Sequence, residues 1–264
     1  MSNIKDTADA IKGIVEAVPV YEDMLQPATT ELGKSLLTIS KTVNMALAPL
    51  SGLVWGYEKI ANYLETRMAE KLKNVPEENI ITPDLSLAGP IIESMRYTAH
   101  KEELREMFAN LLATAMIKDK AIDAHPSFVE IIRQLTPDEA KIIKQIQGNG
   151  LIPMIDVRSK YTDDQQGFFE EKKNFTDLPY VAGCSNPELG SSYIENLNRL
   201  GLISIDRQVY LIDDEMYYEE LINHPEIQAL TPPTTSMSRK IHYRKYSFTR
   251  TEFGERFVKT CVKS

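Results

Sequence analysis

Cysteine is scarce: Cys184 and Cys261 stand far apart, and neither belongs to a Cys-x-x-Cys or Cys–His cluster. No disulfide framework or cysteine-based zinc site is therefore expected, and both thiols read as small apolar residues. The histidines, His100, His125, His224 and His242, are equally scattered, so no short-spaced set of metal ligands forms. Gly-x-Ser-x-Gly, Walker-type and dinucleotide-type glycine motifs are missing, which removes the enzyme families that carry them. No basic stretch followed by an apolar core opens the chain, so no secretory leader is expected and the cytoplasm is the expected compartment. The longest run without a charged side chain, Thr42 to Tyr57, is broken by Pro49, Gly52 and Gly56, and a spanning helix needs about 20 mostly apolar residues. No metal, cofactor or catalytic residue is expected, and the chain reads as non-enzymatic.

Positive charge is also in short supply: 30 Lys and Arg face 38 Asp and Glu, for a net charge of −8. Such a chain repels a polyanion at long range, although a local basic patch can still bind one. What is present is ordinary for a globular protein, with 42% hydrophobic and 26% charged residues. The 264 residues exceed a typical domain of about 100–200, so two parts are expected.

Along the chain, Ile4, Ala8, Ile11, Val15 and Val18 recur at helical spacing, and further helices are expected over about Thr30–Leu47 and around Ile60, Leu64, Met68 and Leu72. A loop follows around Pro76 and Pro83, and Pro90 is expected in the first turn of a short helix carrying Ile91, Ile92 and Met95. Leu104, Met107, Phe108, Leu111, Leu112 and Ala115 then give the clearest amphipathic stripe. Phe128, Ile131, Ile132 and Leu135 repeat the pattern after Pro126 and complete a helical domain over residues 1–135.

Thr136-Pro137-Asp138-Glu139 combines an N-cap threonine, a first-turn proline and a capping-box glutamate, so a helix and a second domain, 136–264, begin there. Leu151–Val157 reads as a short strand and Ser159–Thr176 as a polar loop or insertion. A helix from Ser185-Asn186-Pro187 to Leu200 ends at Gly201. Leu202–Ile205 and Val209–Ile212 look like a hairpin, followed by a helical insertion at about 213–230. A strand is expected over Ile241–Phe248, and Thr249-Arg250-Thr251-Glu252 offers a second capping box for a terminal helix. The expected fold class is mainly α, a helical assembly followed by an α+β winged-helix-like module.

Three segments carry functional expectations. Arg239, Lys240, His242, Arg244, Lys245 and Arg250 form a basic strand interleaved with aromatics, in which Lys240, His242, Arg244 and Tyr246 share a face. It can touch nucleic-acid phosphates as a wing, or form an ordinary solvated sheet face. The candidate recognition helix carries Glu188 and Glu195 with Arg199 as its one cation, which suits a protein surface better than DNA, while Asn196 and Asn198 could read bases. Trp55 and Tyr57 can anchor Thr42–Tyr57 at a membrane surface, against the alternative of a buried helix pair. The acidic runs at Asp163-Asp164 and Asp213-Asp214-Glu215 read as solvated loops or helix starts rather than cation sites.

The series from Glu103 to Ala113, His125-Pro126-Ser127-Phe128-Val129-Glu130-Ile131-Ile132 and Leu135-Thr136-Pro137-Asp138-Glu139-Ala140 resembles the Abi-alpha (abortive infection alpha) family. Glu195 to Ile203 and Phe248 to Val258 are similar to its closing part. The resemblance covers most of the chain. It implies a bacterial protein associated with abortive infection, in which an infected cell stops supporting phage growth, and it brings no catalytic residues with it. The leading expectation is a phage-defence component acting through a protein partner, with nucleic-acid binding and membrane activity as alternatives.

Overall fold

A computed structural model describes residues 32–47, 58–146, 148, 150–161, 167–211, 215–230 and 239–262. The helix expected around Ile4–Val18, the break at Pro49, the Asp163-Asp164 and Asp213-Asp214 pairs, and Trp55 and Tyr57 lie outside the described residues. The chain divides into two compact units, one built from residues up to Gln134 together with the stretch from Thr260, the other from Leu135–Lys259. The first is mostly helical, the second centres on a four-stranded antiparallel sheet, and the whole is α+β.

In the first unit, helices α1 (Leu32–Leu47), α2 (Glu58–Lys71), α3 (Leu85–Thr98), α4 (Glu102–Ala115) and α5 (Ser127–Gln134) follow one another. Helix α4 is central, packing on α2, α3 and α5, and Met107 through Ala115 are all buried. A helix enclosed on all sides needs small residues where neighbours approach, and Ala109, Ala113 and Ala115 supply them. Two polar groups inside it are satisfied by the returning C-terminal stretch: Asn110 Nδ2 donates to Cys261 O (2.9 Å), and Thr114 Oγ1 to Thr260 O (3.3 Å). On the rim, Glu106 accepts from the Tyr63 hydroxyl (2.6 Å) and Arg67 Nε (2.9 Å), tying α2 to α4. Burial alone would raise the Glu106 carboxyl; Tyr63, Arg67 and Lys71 outweigh it and hold the group below the usual carboxylate range.

Pro90 departs from expectation. Helix α3 starts earlier, capped by Asp84, whose side chain accepts from Ser86 N (2.7 Å), so the proline lies inside the helix. An N-cap aspartate outcompetes a proline as the start signal because it satisfies an amide that the helix leaves free.

The second unit opens with α6 (Pro137–Gln145), whose capping box is formed in full: Thr136 Oγ1 accepts from Glu139 N (3.2 Å) and Glu139 Oε2 from Thr136 N (2.6 Å). Strands β1 (Ile152–Tyr161) and β2 (Phe169–Phe175) come next, then α7 (Leu178–Val181), α8 (Gly190–Arg199) and β3 (Ile203–Asp206). Helices α9 (Glu215–Ile222) and α10 (Pro225–Gln228), strand β4 (Arg239–Arg250) and α11 (Glu252–Phe257) complete it. The sheet order is β2-β1-β4-β3, all neighbours antiparallel. Successive residues of a strand face opposite sides. Ile155 and Val157 of β1, Ile241 and Tyr243 of β4, and Phe175 of β2 pack with Tyr218, Leu221 and Ile227 of α9 and α10.

Three sequence expectations are corrected here. The stretch expected as a polar loop or insertion over Ser159–Thr176 instead carries strand at both ends, since β1 runs on to Tyr161 and β2 pairs with it. A strand with only one apolar face looks like a loop by composition, yet its backbone groups are satisfied by pairing. The wing hairpin expected between Leu202–Ile205 and Val209–Ile212 does not form, because β3 pairs with β4 (Ile203↔Arg250, Ile205↔Phe248). Asp206-Arg207-Gln208 adopts no positive φ, which tight hairpin turns require, and the next stretch is held by side chains: Ser247 Oγ donates to Val209 O (2.9 Å), and Leu211 N donates to the Tyr218 hydroxyl (3.2 Å). The terminal helix is capped by Thr251, whose Oγ1 accepts from Gly254 N (2.8 Å), rather than by Thr249. Thr249 cannot serve because it is still paired in β4, opposite Ser204.

Candidate functional site

The register of β1 on β4 sets Asp156 opposite Arg244, Arg158 opposite His242 and Lys160 opposite Lys240. These six residues occupy the face that α9 and α10 do not cover, which is buried at the Asp156 end, where Glu195 of α8 accepts from Asn174, and exposed at the Lys160–Lys240 end. Lys160, Lys240 and His242 are exposed, and Arg158 and Arg244 half-buried. Among the described residues no hydrogen bond or ion pair engages the side chain of Lys160 or Lys240. Arg158 pairs with Glu170 (3.3 Å), and its guanidinium lies 4.0 Å from the ring centre of Phe168. Arg244 Nη2 donates to Arg207 O (3.3 Å).

Beneath this face sits a buried polar network. Asp156 is fully buried; its Oδ1 accepts from Asn174 N (3.0 Å) and from the Tyr246 hydroxyl, and its Oδ2 from Arg207 Nη1 (2.8 Å), with Arg158 Nη2 at 3.6 Å. Arg207 Nη2 donates to Asn174 Oδ1 (2.9 Å), and its guanidinium lies 4.8 Å from the Tyr246 ring centre. Asn174 is held at φ 52°, a conformation asparagine tolerates better than most residues, and its Nδ2 reaches Glu195 Oε1 (3.1 Å). Burial first, then the hydrogen bond to Asp156 and the Asp156 charge, push the Tyr246 hydroxyl well up, so it stays protonated and donates here. Both oxygens of Asp156 thus accept from donors on three separate segments, which fixes Arg207 and the strands around it. Arg207 also lines an open cavity of about 510 Å³ with Asn174, Glu195, Asn198, Asp206 and Gln208.

The residues singled out in the sequence are divided by the fold. Lys240, His242 and Arg244 share the open face. Arg239 and Lys245 point to the other side: Arg239 stacks on Phe169 (4.5 Å) and Tyr161 (5.3 Å) and pairs with Glu171 (3.4 Å), while Lys245 pairs with Glu215 (3.1 Å). Arg250 is corrected: it is buried, donates to Ile146 O (2.9 Å) and pairs with Glu255, so it has no surface to offer a phosphate. The asparagines of α8 are engaged internally, Asn196 Nδ2 with Glu139 Oε1 (2.7 Å) and Asn198 Oδ1 with Ile205 N (3.2 Å). Arg158, Lys160 and Arg207 were missed by sequence reasoning, Arg158 because the strand was read as ending at Val157 and Lys160 because its segment looked like a loop. The alternation Asp156, Arg158, Lys160 continuing the β1 period was the signal for them.

Elsewhere in this unit, Asp138 accepts from Ser185 N (2.8 Å), Asn186 N (3.1 Å) and the Tyr193 hydroxyl (3.1 Å). Burial would raise its carboxyl, but these donors and Lys141 hold it below the usual range. Cys184, half-buried beside it, is pushed up to about 11 by burial and then by the Asp138 charge, whereas Cys261 is fully buried. Among the described residues no His, Cys, Asp or Glu cluster is arranged to hold a metal, and no helix is long and apolar enough to cross a membrane.

No curated protein and no solved structure is significantly similar to the chain. The model of the abortive infection alpha family matches residues 56–261, and with that span covered the chain belongs to the abortive infection alpha family.

Proposed function

We propose that the chain serves phage defence by binding rather than by chemistry, and that its contact surface is the open basic face of the sheet, taking the sugar–phosphate backbone of a nucleic acid. Family membership supports the defence role. The nucleic-acid reading is carried by one observation: the cations Arg158, Lys160, Lys240 and Arg244 gather, with His242 among them, on one face of β1 and β4 in a chain of net charge −8. Concentrating cations against the overall charge costs self-repulsion, which an anionic partner relieves. Strand geometry spaces alternate residues about 6.8 Å apart, so the cations form a regular grid suited to successive phosphates.

The test is fluorescence anisotropy of the full chain with labelled DNA and RNA over a salt series. With about four phosphates contacted, log affinity should fall against log salt with a slope of about −3 to −4 for a duplex. Lys160→Glu with Lys240→Glu should abolish binding, and affinity unchanged by that double reversal would reject this surface. A second reading, a protein partner, is favoured by the exposed side chains of Val209, Tyr210, Met216 and Tyr217. Capture of a partner from phage-infected cells that is lost on Tyr210→Glu, alongside absent nucleic-acid binding, would select it.

A further inference from the structure

The far end of the β1–β2 hairpin exposes aromatic rings on both faces, and they differ in company. Phe168 and Phe169 are each 47% exposed, unusual for phenylalanine side chains that form no core. Phe169 lies on the face of Arg239 and Tyr161, edge-on to Tyr161 at 5.5 Å. Phe168 lies on the basic face, where the Arg158 guanidinium holds it at 4.0 Å. The open face thus carries cations in rows and a flat apolar ring at its edge, beside Lys160 and Lys240.

We infer that this face takes a single-stranded nucleic acid, with phosphates along Lys160, Lys240, Arg158 and Arg244 and an unpaired base stacked on Phe168; the inference rests on the nucleic-acid reading above and deepens it. A duplex keeps its base faces covered by neighbouring base pairs, so an exposed ring gains nothing from it. An unpaired base has a free face, and stacking on an aromatic ring is tolerant of sequence. Arg158, paired with Glu170 and lying against Phe168, can also turn toward the phosphate of the stacked nucleotide. The flanking Glu170 and Glu171 oppose insertion of the hairpin into a lipid surface, which would bring their carboxylates against anionic headgroups.

The experiment compares a labelled single strand of about 16 nucleotides with a duplex of the same length, using the full chain and four variants. The single strand should bind about 5- to 100-fold tighter than the duplex. Phe168→Ala should remove most of that preference while leaving duplex affinity unchanged, Phe168→Trp should restore or increase it, and Phe169→Ala, altering the opposite face, should change nothing. Equal affinity for strand and duplex, with both lost on Lys160→Glu with Lys240→Glu, would overturn the stacking inference and leave the nucleic-acid reading standing. Loss of binding with Phe169→Ala as much as with Phe168→Ala would overturn it too, as a general effect of the exposed aromatic rings at this end of the two strands. Absence of binding to either probe would sink the underlying reading and the inference with it, as would binding only to vesicles of anionic lipid.

Discussion

Replacing Asp156 with asparagine isolates what the buried carboxylate contributes. The side chain keeps its shape, and one oxygen remains for Asn174 N and the Tyr246 hydroxyl. The other oxygen becomes an amide that points a donor at Arg207 Nη1, formerly 2.8 Å from an acceptor. Removing one partner of a fully buried ion pair costs about 3–5 kcal/mol. Here Arg207 retains 32% side-chain exposure and can recover some hydration, so about 2–3 kcal/mol is expected, a charge-assisted hydrogen bond plus a partly desolvated guanidinium. For a protein of this size that lowers the thermal midpoint by about 5–10 °C. Circular dichroism against temperature and urea measures it, and a cycle with Arg207→Gln apportions it. If the charges act as a pair, Arg207→Gln costs markedly less in the Asp156→Asn background, with a coupling of about 1–3 kcal/mol. Strict additivity, or an Asp156→Asn midpoint equal to wild type, would refute the view that this carboxylate organises the site.

Gly254→Ala should destabilise the second unit by about 3 kcal/mol or more, because the added Cβ would lie 2.0 Å from Leu202 O and only backbone movement can relieve it. Gly201→Ala, where φ is +73° but an added Cβ would meet only Phe253 Cδ1 at an ordinary 3.9 Å, should cost only about 1–2 kcal/mol in the same denaturation assay. Asp138 is depressed in the folded state, so its stabilisation is complete above the unfolded carboxylate value of about 3.9 and is lost as pH falls through the lower folded value; the stability gap between wild type and Asp138→Asn should narrow over that window in acid denaturation. Cys184, pushed up to about 11, should alkylate slowly at pH 8 because its thiolate fraction is on the order of a thousandth, and Asp138→Asn should speed the reaction as followed by mass spectrometry.

The helices were legible where local chemistry decided them. Thr136-Pro137-Asp138-Glu139 contains both halves of a capping box within four residues, and α4 shows its stripe without help from distant contacts. Strand β4 was legible from its β-prone run, although its first and last residues were not. What stayed hidden depended on pairing. Glu170, Glu171, Lys172 and Lys173 form a charged run that reads as loop, and only the register with β1 makes it a strand. The same cause hid the site: Asp156, Asn174, Arg207 and Tyr246 come from four separated segments, and a lone aspartate inside Leu151–Val157 was the single local irregularity pointing toward them.

The buried acid and the exposed cations solve one problem together. A sheet face crowded with Arg158, Arg207 and Arg244 would repel itself, and side chains that long would spread into solvent unless something fixed them. Asp156 sits where the register places it between the strands, accepts from Arg207 and lies within 3.6 Å of Arg158; Arg207 O in turn receives Arg244 Nη2. One carboxylate thus orders three guanidinium groups by direct or relayed contact. Because it is fully buried it answers to them and not to an incoming anion, while Lys160 and Lys240 at the rim remain free of such restraint. The inner cations are therefore pre-positioned and the outer ones adaptable, so mutation of Asp156 should weaken ligand affinity through disorder of the arginines even though it removes a negative charge from the face. A pure charge-counting view predicts the opposite sign, and anisotropy with Asp156→Asn distinguishes the two.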